Sequence, residues 1–120
     1  MPGADHEVLE VRDFPLECGA VLPRARIAFH DSAGATGIGT DAAPVLSCTA
    51  FAQTPADLGW LRASGGPLDP RRRRVLATEL LGNGRSSSPS NTPPPFAGPD
   101  FPAVTIRDNV ALQARLLDAL

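Results

Sequence analysis

From Glu7 to Phe14 apolar and charged side chains mix along a run that reads as a strand, and Pro15–Pro23 follows with a turn at Cys18-Gly19. Arg24–His30 then alternates, with Ala25, Ile27 and Phe29 on one face and Arg24, Arg26 and His30 on the other. Period-two alternation marks a half-buried strand. The two runs therefore pair as an antiparallel hairpin with one wet face. Asp31–Ala42 is small and Gly-rich, a loop. Pro44–Thr49 carries almost no charge, the pattern of a strand buried on both faces at the centre of a parallel sheet. Val45 and Leu46 are then expected to be buried.

Thr54-Pro55-Ala56-Asp57 combines a candidate N-cap, a proline at the first helical position and an acid in the first turn. It predicts a short helix through Trp60-Leu61. Val75–Thr78 is a further short strand. The last element, Ile106–Leu120, sets Ile106, Val110, Ala114, Leu117 and Leu120 on one helical face at spacings of three and four. Thr105 caps it and Asp108 complements its dipole. The face is expected to pack on a sheet. Helices interleaved with buried strands argue for α/β architecture over all-β. Residues 1–6 carry no pattern and are expected to be disordered, which leaves 7–120 as the folded part.

Composition narrows the picture. A chain of 120 residues makes one small domain. The formal net charge of −2 offers no long-range attraction to nucleic acid or an anionic membrane. No apolar run approaches the roughly 20 residues of a membrane span. The N-terminus has neither the basic nor the apolar segment of a signal peptide, so the expected compartment is the cytoplasm. Cys18 and Cys48 fit no metal-ligand spacing and read as buried thiols. His6 and His30 are too isolated to hold a metal.

Several motifs imitate chemistry without its structural context. Gly82-Asn83-Gly84 resembles the start of a dinucleotide turn, but the prolines that follow forbid the helix that would receive a pyrophosphate. Gly84-Arg85-Ser86-Ser87-Ser88 approaches Gly-x-Ser-x-Gly, yet the fifth position is serine and the same prolines remove the elbow's helix. Ser86 therefore reads as a loop serine, and the chain has no convincing nucleophile. Arg71–Arg74 lacks the interleaved aromatics of a nucleic-acid patch and reads as a solvated turn. Pro93-Pro94-Pro95 could serve as a polyproline ligand, but a rigid connector is favoured.

The run from Leu80 to Gln113, with its Leu-Leu-Gly-Asn-Gly turn, Ser-Ser-Ser-Pro-Ser-Asn loop and Thr-Ile-Arg-Asp helix start, resembles the homoserine O-acetyltransferase family of α/β-hydrolase-fold enzymes. Phe14–Gly19 with Leu22-Pro23 and Ile27–Phe29 resembles that family's N-terminal hairpin. Pro44–Leu61 resembles its central strand and oxyanion turn, and Gly66–Pro70 its next turn. The resemblance implies the N-terminal part of an α/β-hydrolase fold, a hairpin leading into a parallel sheet. It also implies that the chain is an incomplete domain, stopping before the nucleophile strand. The family moves an acetyl group from acetyl-CoA to the hydroxyl of homoserine, on the way to methionine, through a serine acyl-enzyme with His and Asp partners. Close relatives use other acyl groups or hydrolyse esters.

By resemblance, the backbone N–H of Ala50 or Phe51 would supply half of an oxyanion hole, at the C-terminal edge of the sheet. Catalytic, metal and cofactor-binding residues are not identified in the chain. The expected partner is a small-molecule acyl acceptor, with acetyl-CoA as co-substrate, and neither nucleic acid nor membrane. The departures are Glu79 for an expected Asn, Ala63-Ser64 within the Gly-Pro-Gly turn, and Arg73-Arg74 for an aromatic pair. An unpaired buried guanidinium costs several kcal/mol, so the strand from Val75 is expected to be frayed or at an edge. The expectation is an inactive fragment of an acyltransferase, marginally stable and prone to self-association through an exposed helix and sheet edge. The alternative is a small non-catalytic interaction protein using its Pro/Ser loop or C-terminal helix.

Overall fold

The computed structural model describes residues 6–33, 43–50 and 52–120. Two compact units make up the chain: Val8–Ala28 with Leu80–Leu120, and Phe29–Glu79 with the residues through Glu7. Strand β2 runs through both.

In the first unit, β1 (Glu7–Pro15) is hydrogen-bonded to β2 (Val21–Asp31). Gly19 N–H donates to the Leu16 carbonyl at 3.0 Å and Leu16 N–H to the Ala20 carbonyl at 2.9 Å. Gly19 has φ +97°, a backbone state closed to most side chains, so glycine makes the reversal possible. Ala25, Ile27 and Phe29 are buried as the alternation predicts. The opposite face of β2 is drier than expected, with Ala28 fully buried and Arg26 half-buried.

The Ser-rich loop explains the dry face. Ser87 N–H donates to the Arg26 carbonyl at 2.9 Å. The hydroxyls of Ser87 and Ser86 accept the N–H groups of Arg26 and Ala28 at 2.8 and 3.0 Å. The loop thus takes the place of a paired strand along Arg26–Ala28. Its own backbone is satisfied from within: the Asn83 carboxamide oxygen accepts from Arg85 and Ser86, and that of Asn91 from Ser88. Asn91 Nδ2 donates to the carbonyls of Gly84 and Ser86. A buried segment without regular structure needs such partners for every peptide group.

Helix α1 (Ile106–Ala119) starts on a reciprocal cap, with Asp108 N–H donating to Thr105 Oγ1 at 3.1 Å and Thr105 N–H to Asp108 Oδ2 at 2.9 Å. The buried face is not the one the apolar spacing selects. Ile106, Val110, Ala114, Leu117 and Leu120 are exposed, while Asp108, Asn109, Leu112, Gln113 and Leu116 are buried. Polar anchors decide the orientation. Asp108 Oδ1 accepts Glu17 N–H at 2.9 Å, and Asn109 Oδ1 accepts Leu81 N–H at 2.8 Å. Leaving a buried donor unsatisfied costs about 1–3 kcal/mol. Asp108→Ala, which deprives two backbone N–H groups of their acceptor, is therefore expected to lose about 2–4 kcal/mol in urea unfolding. Asp108→Asn, which retains one carboxamide oxygen, loses less.

In the second unit, β4 (Arg74–Thr78) is central. Phe29–Asp31 of β2 pairs antiparallel on one side and β3 (Pro44–Cys48) parallel on the other. The strand buried throughout is thus β4, whereas β3 ends the strand order with Pro44, Val45 and Leu46 only half-buried. Arg74 does not fray β4 or place it at an edge. Its side chain, 4% exposed, meets Asp31 through Nη2–Oδ2 at 2.8 Å and Nε–Oδ1 at 3.2 Å. The charge that argued against burial is neutralised by a carboxylate on the neighbouring strand. Strands and helices alternate after the opening hairpin, and the class is α/β as expected.

Candidate functional site

The parallel pairing of β3 and β4 closes with Cys48 opposite Thr78. Thr49 extends it by one contact, its buried hydroxyl donating to the Thr78 carbonyl at 3.0 Å. Ala50 is the first residue past this anchor and is exposed. It lies just beyond the C-terminal ends of two parallel strands, where open α/β sheets hold their ligands. Phe51, the second candidate donor, lies outside the described residues.

Ala50 begins a tight turn. Its carbonyl accepts Gln53 N–H at 3.0 Å, and its N–H donates to Gln53 Oε1 at 3.0 Å. Ala52 is left-handed at φ +62°, so the chain reverses sharply here. The turn feeds a 3₁₀ helix, Pro55–Arg62, where the sequence predicts a helix through Trp60-Leu61. Asp57 Oδ2 accepts Thr54 N–H at 2.7 Å, and Arg62 Nη2 donates to the Pro55 carbonyl at 2.7 Å. Trp60 is 70% exposed.

Gln53 is the residue that sequence reading missed. A carboxamide three positions after the first residue of a turn can return to that residue's peptide N–H, as Gln53 does to Ala50, and only that spacing signals it. Chemically, an exposed N–H already holds a carbonyl oxygen at the distance an oxyanion hole requires, about 2.7–3.1 Å. An acyl oxygen would take the place of Gln53 Oε1. A second polar group lies at the same strand ends: Thr78 Oγ1 is buried without a hydrogen-bond partner.

The other sequence candidates resolve into structural roles. Ser86 is fully buried with its hydroxyl on Ala28 N–H, so it sits in no strand-to-helix elbow. The α-helix following Gly82-Asn83-Gly84 begins only at Ile106, too far away to serve a dinucleotide turn. Pro93–Pro95 is exposed and leads into a turn, Phe96 N–H donating to the Pro93 carbonyl at 3.2 Å. In the arginine run, Arg71–Arg73 are exposed and Arg74 is buried. Arg71 binds Asp69 through Nε and Nη2 at 3.2 and 2.9 Å, and also reaches Ser64. Hydrogen bonds from the Arg71 guanidinium, then from the N–H groups of Gly65 and Arg71, hold the Asp69 carboxyl far below the usual carboxylate range. Cys18 and Cys48, read as buried, are both exposed. The turn puts one at a surface corner, and the other ends β3. No cluster of three His, Cys, Asp or Glu side chains suited to a metal occurs among the described residues. No described helix is long and apolar enough to cross a membrane.

No family model matches the chain. Individual proteins do. The chain is 33% identical over 114 residues to an ethyl acetate hydrolase of Pseudomonas veronii, covering 92% of the chain and 32% of that protein. It is 34% identical over 113 residues to a homoserine O-acetyltransferase of Chloroherpeton thalassium, covering 88% and 29%. Among solved structures, the acetyl esterase MekB superimposes with a TM-score of 0.80 at 32% identity, covering 93% of this chain and 32% of that one. The chain thus spans about a third of the length of the relatives it matches.

Proposed function

We infer the function of this chain from the family to which it belongs, the homoserine O-acetyltransferase family of α/β-hydrolase-fold proteins, whose relatives include acetyl esterases. We propose that the chain supplies the oxyanion side of an acyl-transfer site. The acyl group comes from an acyl-CoA or ester and goes to an acceptor hydroxyl, either homoserine or water. The turn that begins at Ala50 is the working part. As the acyl carbonyl is attacked, its oxygen gains negative charge, and a fixed backbone N–H stabilises that charge without reorganising. The single observation supporting this reading is the Ala50 N–H, which donates at 3.0 Å to a carboxamide oxygen just past the parallel strand ends.

No serine among the described residues sits in a strand-to-helix elbow, so the 120-residue chain alone is read as inactive. Purified, it is expected to stay at background with acetyl-CoA plus homoserine and with p-nitrophenyl acetate. Turnover abolished by Ser86→Ala would overturn that expectation. Exchanged for the matching third of the Pseudomonas veronii hydrolase, the chain is expected to support hydrolysis of ethyl acetate. A chimera that folds, by circular dichroism, and yet hydrolyses nothing would refute the acyl-transfer reading.

A further inference from the structure

We propose that Gln53 is a built-in competitor for the oxyanion donor: its carboxamide oxygen occupies the Ala50 N–H at rest and leaves it as negative charge develops on an acyl oxygen. The inference rests on the acyl-transfer reading of the turn after β3, and it concerns the state of the donor before the substrate reacts. Gln53 meets Ala50 twice, through groups that differ in how they can move. Its N–H donates to the Ala50 carbonyl at 3.0 Å, backbone to backbone, and closes the turn. Its side-chain Oε1 accepts the Ala50 N–H, also at 3.0 Å. The second bond can break while the first holds the turn shut.

The donor is fixed and the acceptor is not. One residue before Ala50, the buried Thr49 hydroxyl donates to the Thr78 carbonyl at 3.0 Å and pins the chain to β4. The Gln53 side chain is only half-buried, and its carboxamide nitrogen makes no hydrogen bond among the described residues. One bond at one end therefore holds a long side chain whose rotamer freedom favours release. A carboxamide oxygen is close in charge to the carbonyl of a neutral ester, so a bound substrate gains little by displacing it. An oxyanion does gain, because a hydrogen bond to a charged acceptor is roughly twice as strong as a neutral one. The exchange thus belongs to the transition state, and its cost is part of the barrier. One intramolecular hydrogen bond, net of the water that replaces it, amounts to a factor of about 2–10 in an equilibrium.

The chimera with the Pseudomonas veronii hydrolase reads that factor. Gln53→Ala is expected to raise kcat and kcat/KM for ethyl acetate together, by about 2–10-fold, with KM little changed. Gln53→Glu keeps the reach and adds charge, so it competes harder and is expected to lower both by at least about threefold. A side chain that merely braces the turn gives the opposite order, a loss with Ala and a smaller one with Glu. In the Ala50→Pro background Gln53→Ala is expected to bring no gain, since no donor remains to be released. Amide hydrogen exchange in the 120-residue chain supplies a readout apart from activity. Gln53→Ala is expected to speed exchange at Ala50 and to leave Gln53 N–H as protected as in the parent. An unchanged or lower kcat in Gln53→Ala, a gain that survives Ala50→Pro, or lost protection at Gln53 N–H would each overturn the competitor. The oxyanion reading stands through any of these results if Ala50→Pro or Phe51→Pro is slow, and fails only if both proline variants turn over at the parental rate.

Discussion

Asp31→Ala is expected to lower the unfolding free energy by about 3–5 kcal/mol, the usual cost of removing one partner of a buried ion pair. Against a typical total of about 5–15 kcal/mol, such a loss leaves the second unit barely folded. The cause is local. Arg74 keeps its charge in a site 4% exposed, on the strand that joins β2 to β3, while its carboxylate partner, itself 11% exposed, is gone. Asp31 also accepts Ala33 N–H at 2.9 Å, so the end of β2 loosens as well. Replacing both members together, Asp31→Leu with Arg74→Met, is expected to recover most of the loss, because no charge remains to be buried. The pair also gives stability a pH dependence. Hydrogen bonds from Arg74, outweighing desolvation and reinforced by Ala33 N–H and the charges of Arg74 and His30, hold the Asp31 carboxyl below its ordinary value. A lowered folded-state pKa means that its contribution is complete above the unfolded-state value, about 3.9. The contribution then fades as pH falls through the lower folded value. Urea midpoints between pH 7 and pH 2 test this. The parent is expected to lose more of its stability in acid than Asp31→Ala loses, and parallel curves would refute the assignment.

The strands were legible where the signal was period-two alternation, because Ala25, Ile27 and Phe29 answer to one buried face whatever covers the other. The covering of that other face was not legible. Serine hydroxyls that accept the N–H groups of Arg26 and Ala28 are indistinguishable in sequence from those of any polar loop. Arg74 misled for a related reason. A charge in a strand argues against burial until a carboxylate 43 residues away is brought beside it, and separation along the chain hides that pairing. Helix α1 had two apolar stripes, and the longer one was read as the core face. Two polar side chains with backbone groups to satisfy, Asp108 and Asn109, turned the shorter one inward. At the candidate site, the strand end before Ala50 was readable from the uncharged run, and the Gln53 contact was not. The family resemblance stood on the unusual composition of Leu80–Gln113.

Proline at the correct turn position is expected to lower kcat by about 10²–10³-fold in the chimera with the Pseudomonas veronii hydrolase, the usual effect of deleting one oxyanion donor. Proline removes one backbone N–H and leaves the chain extended at the preceding residue. At position 50 this is compatible with Thr49, which has just left β3. The pair Ala50→Pro and Phe51→Pro therefore asks which peptide faces the acyl oxygen. The N–H of Ala50 is the one seen donating to a carboxamide oxygen, at 3.0 Å, and is favoured on that account. A donor that acts only as charge develops lowers kcat and kcat/KM together, with KM for ethyl acetate little changed. A turn that merely collapses lowers the folded fraction and raises KM instead, and circular dichroism at the assay temperature separates that case. Ala50→Gly, which keeps the N–H, is the control and is expected to stay within about threefold of the parent, far from the loss expected for a deleted donor. If both proline variants hydrolyse ethyl acetate at the parental rate, neither peptide contacts the oxyanion. The turn after β3 would then be a structural reversal, closed by Gln53 for its own sake.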